Sequence, residues 1–192
     1  MKSASTSPPE NTEPPKASVM LEALRDVGVS HVVGLADNTS AALFAALTDD
    51  REIDVIQVTR EGEAFAIASG LWVGGMSPVV LVQNTGLLES GDGLRGTALR
   101  MGVPLLCLVT YRGIHTLPNR RPTRKMKRPT REVLVRSDID SAAVVTEPTL
   151  EAWGLPFNFY ESDDHHSRIR DAWILARTED RPVVLLVTNA LV

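Results

Sequence analysis

Glu61 is the residue around which chemistry can most readily be built in this chain. It follows an apolar run, Ile53–Val58, and opens a helical pattern whose apolar residues are Ala64, Phe65, Ala68, Leu71 and Trp72. At 3.6 residues per turn Glu61 shares a face with Ala64, Phe65 and Ala68, whereas Glu63 points away. A carboxylate at a helix start is stabilised by the macrodipole, which is one reason for its presence. Burial on an apolar face is another, because it raises the carboxyl pKa and makes the group a proton donor. Further polar groups stand just after other apolar runs: Asp37 and Asn38, then Gln83, Asn84, Thr85 and Gly86, then Arg112. Amides, hydroxyls and a guanidinium in such places can orient a polar ligand. Asn and Asp also serve turns and caps for local reasons, and Asn38 or Thr39 is a competent cap for the next helix.

The elements that must position these residues follow from periodicity. Apolar runs at His31–Leu35, Ile53–Val58, Pro78–Val82 and Pro104–Thr110 predict strands buried on both faces. Helical patterns at Thr39–Leu47, Glu61–Gly74 and Leu87–Met101 lie between them. A helix at about Ser167–Thr178 precedes a last buried strand, Pro182–Val187. The alternation predicts right-handed βαβ units, hence an α/β fold: a single three-layer domain with a mostly parallel sheet flanked by helices. Ligands in such sheets sit at the carboxyl ends of the strands, where the residues singled out above lie. Residues 1–16 hold four prolines and predict a disordered tail, with 17–192 as the domain. Ser18 is expected to cap the first helix and Gly28 to stop it. Residues 111–145 read as a long polar connection and Thr149–Trp153 as a short helix.

Composition bounds the rest. The chain has 192 residues, 43% hydrophobic and only 5% aromatic, so its core must be mostly aliphatic. A single cysteine, Cys107, excludes an intramolecular disulfide framework and fits a reducing cytoplasm. Neither a membrane span nor a secretory signal is expected. The net charge of −4 argues against a general nucleic-acid binder. That charge is uneven: Arg112–Arg136 carries nine basic residues and one acid, Glu132. The stretch has almost no aromatics, so it reads as a solvated loop or as a segment that draws an anionic substrate or an acidic partner.

Three segments carry a resemblance. Arg60–Gly70, with its opening Glu61 and a glycine nine positions on, resembles the glutamate segment of thiamine-diphosphate enzymes. Gly34-Leu35-Ala36-Asp37-Asn38 resembles the Gly-Val-Pro-Asp-Ser turn of phosphonopyruvate decarboxylases. Gln83-Asn84-Thr85-Gly86-Leu87 is similar to the Gln-Asn-Ser-Gly-Leu stretch shared by phosphonopyruvate and sulfopyruvate decarboxylases. The strand Leu105–Val109 and the turn Tyr111-Arg112-Gly113 follow in the same order. The likeness covers about residues 18–113 and is weaker through Glu147–Leu191.

The resemblance is to the pyrimidine-binding domain alone, which in sulfopyruvate decarboxylase is a separate alpha subunit. It implies that the Glu61 carboxyl hydrogen-bonds a ring nitrogen of the aminopyrimidine of thiamine diphosphate. The imino tautomer so favoured takes the proton from the thiazolium carbon. It further implies cofactor contacts from Asp37, Asn38, Gln83, Asn84, Thr85 and Gly86, and substrate contacts from Asn84 and Arg112. The substrate would be an anionic 2-keto acid. The diphosphate and its Mg2+ would be held by a diphosphate-binding beta subunit, in a hetero-oligomer.

Other residues have plainer readings. Gly91-Asp92-Gly93 looks like the Gly-Asp-Gly metal motif of this family's second domain, with Asn119 at a tempting distance. Asp92 follows a polar turn running into a helix, whereas a metal-binding Asp should end a buried strand, so it is not expected to bind a metal. His165 and His166 are adjacent and cannot comfortably share one ion. Cys107 reads as a packed core thiol and Trp72 and Trp153 as core or interface residues. His115 stands near the place of the family's histidine, but the spacing differs and no role transfers to it. The function of another class to weigh is a non-catalytic ligand-binding or regulatory relative of the same fold; an RNA-binding basic loop is disfavoured by the acidic remainder.

Overall fold

The computed structural model describes residues 13–122, 126 and 128–192. Runs such as Val79–Val82 and Leu105–Val109 carry no polar residue on either face, so they belong in central strands covered on both sides. The elements in chain order are α1 (Ala17–Asp26), β1 (His31–Gly34), α2 (Ala41–Thr48), β2 (Asp54–Gln57), α3 (Glu61–Val73) and β3 (Pro78–Gln83). Then come α4 (Asn84–Glu89), a single turn α5 (Gly91–Gly93) that leads into a π-helix (Leu94–Leu99), and β4 (Leu106–Thr110). The chain continues with α6 (Arg131–Leu134), α7 (Ser141–Ala152), β5 (Phe157–Tyr160), α8 (Ser167–Glu179) and β6 (Val183–Val187). All five strand pairings are parallel, in the order β2-β1-β3-β4-β6-β5.

Each face of the sheet has its own core. On one face α1, α2 and α8 bury Met20, Leu24, Leu43, Phe44 and Trp173. On the other, α3, α4, the π-helix and α7 bury Phe65, Ala68, Leu87, Leu94, Val144 and Leu150. The chain leaves β1 for β2 through α2 and returns to β3 through α3 on the opposite face. Strand order therefore reverses between β1 and β3, the crevice where open α/β sheets bind ligands. Gly34 closes the strands at that point: a Cβ there would fall 1.8 Å from the Leu81 carbonyl oxygen. Leu35 N–H donates to that same oxygen at 3.2 Å. Only glycine permits this approach.

The α/β fold with a parallel sheet agrees with expectation, and the differences from the expected elements have local causes. Ile53–Val58 was expected to be buried on both faces, but β2 is an edge strand with Asp54 and Gln57 exposed. β5, a four-residue edge strand, lacks the length for a periodic signal. The short helix expected at Thr149–Trp153 is the end of a longer one, although a proline inside a helix removes one backbone hydrogen bond. The helix instead starts at Ser141 and carries Pro148 inside, because Asp140 caps it by accepting Ala142 N–H at 2.9 Å. Helix expected from Leu87 begins three residues earlier, at Asn84. Residues 1–12 of the expected tail, together with Arg124, Lys125 and Lys127, lie outside the described residues. Pro15 and Lys16 are already tied to the body: Val192 N–H donates to Pro15 O at 3.0 Å and Lys16 N–H to Asp163 Oδ1 at 2.8 Å. Among the described residues no helix is long and apolar enough to cross a membrane.

Candidate functional site

The two glutamates at the head of α3 have different surroundings. Glu63 is consumed by capping: its Oε2 accepts from Thr59 N–H (3.3 Å), Thr59 Oγ1 (3.2 Å) and Arg60 N–H (3.3 Å). These satisfy donors that a helix start leaves open. Glu61 is half-buried, and among the described residues nothing donates a hydrogen bond to its carboxylate. Its side chain lies across Gly86 of α4. A Cβ at Gly86 would stand 2.4, 2.5 and 2.6 Å from the Cγ, Cδ and Cβ of Glu61. The glycine is therefore the slot in which Glu61 rests.

Asp37 forms the hub of the β1–β3 crevice. Its Oδ1 accepts from Ser40 N–H (2.8 Å), Ser40 Oγ (2.6 Å) and Thr39 N–H (3.1 Å). Its Oδ2 accepts from Gln83 Nε2 (2.8 Å) and Thr110 Oγ1 (2.7 Å), so one carboxylate joins the ends of β1, β3 and β4. Burial pushes its pKa up, but the hydrogen bonds from Ser40, Thr110 and Gln83 outweigh burial and hold the group below the usual carboxylate value. Gln83 Oε1 in turn accepts from Thr85 Oγ1 at 2.7 Å. Asp37, Gln83 and Thr85 thus form a chain that ends beside Gly86 and Glu61.

Asn84 is fully buried, with 0% exposure, and spends its side chain inside the protein. Its Nδ2 donates to the Arg112 carbonyl (3.1 Å) and to Thr146 Oγ1 (3.0 Å), while Thr85 N–H donates to its Oδ1 (3.1 Å). It pins the Arg112 turn and α7 to the end of β3. Arg112 is exposed and its Nε donates to Asp140 Oδ2 at 3.1 Å.

An open cleft of about 560 Å³ lies at these strand ends. Asp37, Asn38, Gln83, Arg112, His115 and Thr188 are among the residues that line it. Glu61, Thr85 and Gly86 are not; they stand on the far side of Gln83, reached through the Thr85–Gln83 hydrogen bond. A groove of about 620 Å³ between α1 and α8 is somewhat larger, but it holds none of the residues expected to do chemistry. Burial, with Arg120 nearby, holds His115 below its ordinary pKa. Tyr111, which donates to Ala143 O and Glu147 Oε1, is pushed up by burial and by the Glu147 charge.

Sequence reasoning overlooked several members. Thr188 follows β6 as directly as Gln83 ends β3, so the strand-end rule could have found it. Its hydroxyl is buried and has no partner among the described residues. Thr110 ends β4, so the same rule could have found it, whereas Ser40 gave no signal beyond its polarity. Asp92 stands on α5, 91% exposed and paired with Arg95, at no strand end.

The strand ends thus carry a half-buried carboxylate hub, the buried Asn84 amide, a Thr188 hydroxyl without a partner and a glutamate without a hydrogen bond among the described residues. Residues 16–130 match the family described as "Thiamine pyrophosphate enzyme, N-terminal TPP binding domain". Over 97 residues the chain is 34% identical to a phosphonopyruvate decarboxylase of Streptomyces hygroscopicus, covering 50% of this chain and 24% of that one. It is 29% identical over 97 residues to the sulfopyruvate decarboxylase subunit alpha of Methanococcus maripaludis, covering 50% of this chain and 58% of the relative. The chain therefore spans a quarter to just over half of these relatives. Among solved structures, benzoylformate decarboxylase from Polynucleobacter necessarius superposes with a TM-score of 0.62 at 18% identity, over 90% of this chain and 29% of that one. A 2-oxoglutarate:ferredoxin oxidoreductase from Magnetococcus marinus gives 0.63 at 15% identity, over 94% and 29%. These two bear on the fold. With the family match spanning most of the sheet and both halves of the site, this chain belongs to the thiamine pyrophosphate enzymes, as an N-terminal TPP-binding domain.

Proposed function

We propose that the chain is the alpha subunit of a two-chain thiamine-diphosphate-dependent decarboxylase acting on an anionic 2-keto acid such as sulfopyruvate or phosphonopyruvate. The observation that carries this reading is the unequal use of Glu61 and Glu63: capping consumes one, and the other lies over Gly86 with no hydrogen bond from the described residues. A carboxyl in that position can share a proton with a ring nitrogen placed against it. Thiamine diphosphate, when bound, supplies the electron sink for loss of carbon dioxide from a 2-keto acid. Glu61, Thr85 and Gly86 would meet its pyrimidine end, with Asp37, Asn38 and Gln83 as the adjoining wall. Arg112 would hold the anionic end of the substrate, and Asn84 would act from behind by fixing the Arg112 turn. The diphosphate and Mg2+ fall to a partner chain, so the cofactor lies at a subunit interface and the complex is a hetero-oligomer. The name "subunit alpha" of the Methanococcus relative supports that division.

The test is Glu61→Gln in the complex assembled with the diphosphate-binding chain. Glutamine keeps the size and a hydrogen bond but cannot share the proton. Proton exchange at the thiazolium carbon should slow by about 10²–10⁴-fold, with an unchanged circular dichroism spectrum. Exchange at the parent rate would reduce Glu61 to a helix-start acid and remove the reading.

A further inference from the structure

Glu89 lies beside the turn that bears Glu61. α4 crosses the head of α3 with Gly86 and Glu89, three residues apart and so on one helix face. Gly86 provides the slot for the Glu61 side chain. Glu89 reaches across the same turn: its Oε1 accepts from the Arg60 guanidinium and its Oε2 accepts Gly62 N–H at 3.3 Å. The residues immediately before and after Glu61 are thus both held by one carboxylate. Gly62 belongs to the first turn of α3, where backbone N–H groups have no partner within the helix. Without Glu89 its N–H would rely on solvent, and the turn bearing Glu61 would fray more readily.

We propose that Glu89 is a positioning residue, clamping Arg60 and the Gly62 N–H so that the first turn of α3 presents the Glu61 carboxyl in one fixed direction along the Gly86 slot. The proposal rests on the reading of Glu61 as the cofactor's proton partner and adds the element that aims it. Glu89 itself touches neither cofactor nor substrate. The Arg60–Glu89 pair is well exposed, at 73% and 39% of its side chains. Pairs of that kind add little to global stability, so its effect should be read in the direction of Glu61 and not in the unfolding midpoint.

Two measurements test it. In the isolated chain, Glu89→Ala should speed hydrogen exchange of the Gly62 amide by about tenfold while leaving the urea midpoint close to the parent. In the complex loaded with thiamine diphosphate, Glu89→Ala should slow proton exchange at the thiazolium carbon by about 10–100-fold, the scale expected of a misplaced reacting group. Gly86→Ala, which fills the slot, should slow it likewise. Glu89→Gln keeps an oxygen that reaches Gly62 but loses the Arg60 pair, and should recover part of the loss. Parent-rate exchange in Glu89→Ala, or no recovery in Glu89→Gln, overturns the proposal while a slow Glu61→Gln leaves the reading of Glu61 standing. Should Glu61→Gln itself exchange at the parent rate, the reading fails and the positioning role falls with it.

Discussion

At the scale of single residues, the strand ends divide between groups held in place and groups left to act. One oxygen of Glu63 and both oxygens of Asp37 are engaged by the protein, and the Asn84 amide is likewise engaged. Glu61, the Thr188 hydroxyl and the exposed part of Arg112 are the groups with capacity to spare. Asp37 allows this division to be measured through pH. Its folded pKa lies below the unfolded value of about 3.9, so its contribution to stability is fully present above that pH. The contribution is lost as pH falls through the depressed folded pKa. In Asp37→Asn an NH₂ faces the donors on Gln83 and Thr110, so the variant should have a lower urea midpoint than the parent at pH 7. The gap should narrow as pH falls below about 4, where the unfolded chain takes up a proton that folded Asp37 still refuses, until the folded carboxylate too is protonated at its lower pKa. A gap that stays constant from pH 7 to pH 3 would show that the Asp37 charge does not hold the three strand ends together.

At the scale of elements, α7 deserves a test because a single residue governs both its start and its link to the cleft. Asp140 accepts Ala142 N–H with Oδ1, accepts Arg112 Nε with Oδ2, and donates its own N–H to Thr116 Oγ1 at 2.9 Å. Asp140→Ala should cost about 1 kcal/mol in urea unfolding, the usual worth of an N-cap, whereas Asp140→Asn should cost only a few tenths. Equal losses in the two variants would assign the cost to the Arg112 ion pair instead of the cap. The same element shows where the sequence was hard to read. Pro148 is a strong local signal against a helix, and the Asp140 cap and the packing of Val144 and Leu150 override it. β5 was lost because four edge residues carry too little pattern. The central strands β1, β3, β4 and β6 were legible because burial on both faces demands uninterrupted apolar runs. The site was legible to the same degree. Strand-end position and motif order pointed to Asp37, Gln83 and Glu61, but the pairing of Glu89 with Arg60 joins residues 29 apart and leaves no mark in either local sequence.

At the scale of the whole molecule, part of the basic stretch has partners close by. Of the basic stretch, Arg112, Arg121 and Arg136 are paired with Asp140, Glu161 and Asp138. Arg120 donates to Asn189 Oδ1 at 2.6 Å, and Arg121 also lies 3.5 Å above the Phe159 ring. Residues 120 and 121 therefore fasten the segment over the ends of β5 and β6. They belong to the wall as much as to any field that draws an anion.

On the proposed two-chain reading, the diphosphate of thiamine diphosphate is gripped by the partner chain. The family match ends at residue 130, and the chain spans just over half of its sulfopyruvate decarboxylase relative. Among the described residues no group of three or more His, Cys, Asp or Glu is placed to hold a metal ion. On that reading the chain's own residues meet only the pyrimidine end of thiamine diphosphate, so the isolated chain should bind the cofactor weakly. Ligand binding to the folded state raises stability by RT ln(1 + [L]/Kd), so weak binding leaves the unfolding temperature almost untouched. The isolated chain should therefore unfold within about 1 °C of its unliganded midpoint in 1 mM thiamine diphosphate, whether or not Mg2+ is present. Mixed with the diphosphate-binding chain, it should gain a Mg2+-dependent shift of several degrees. A large Mg2+-dependent shift in the isolated chain would mean that it grips the diphosphate itself. Asp92 would then return as a metal ligand, and the two-chain assignment would be abandoned.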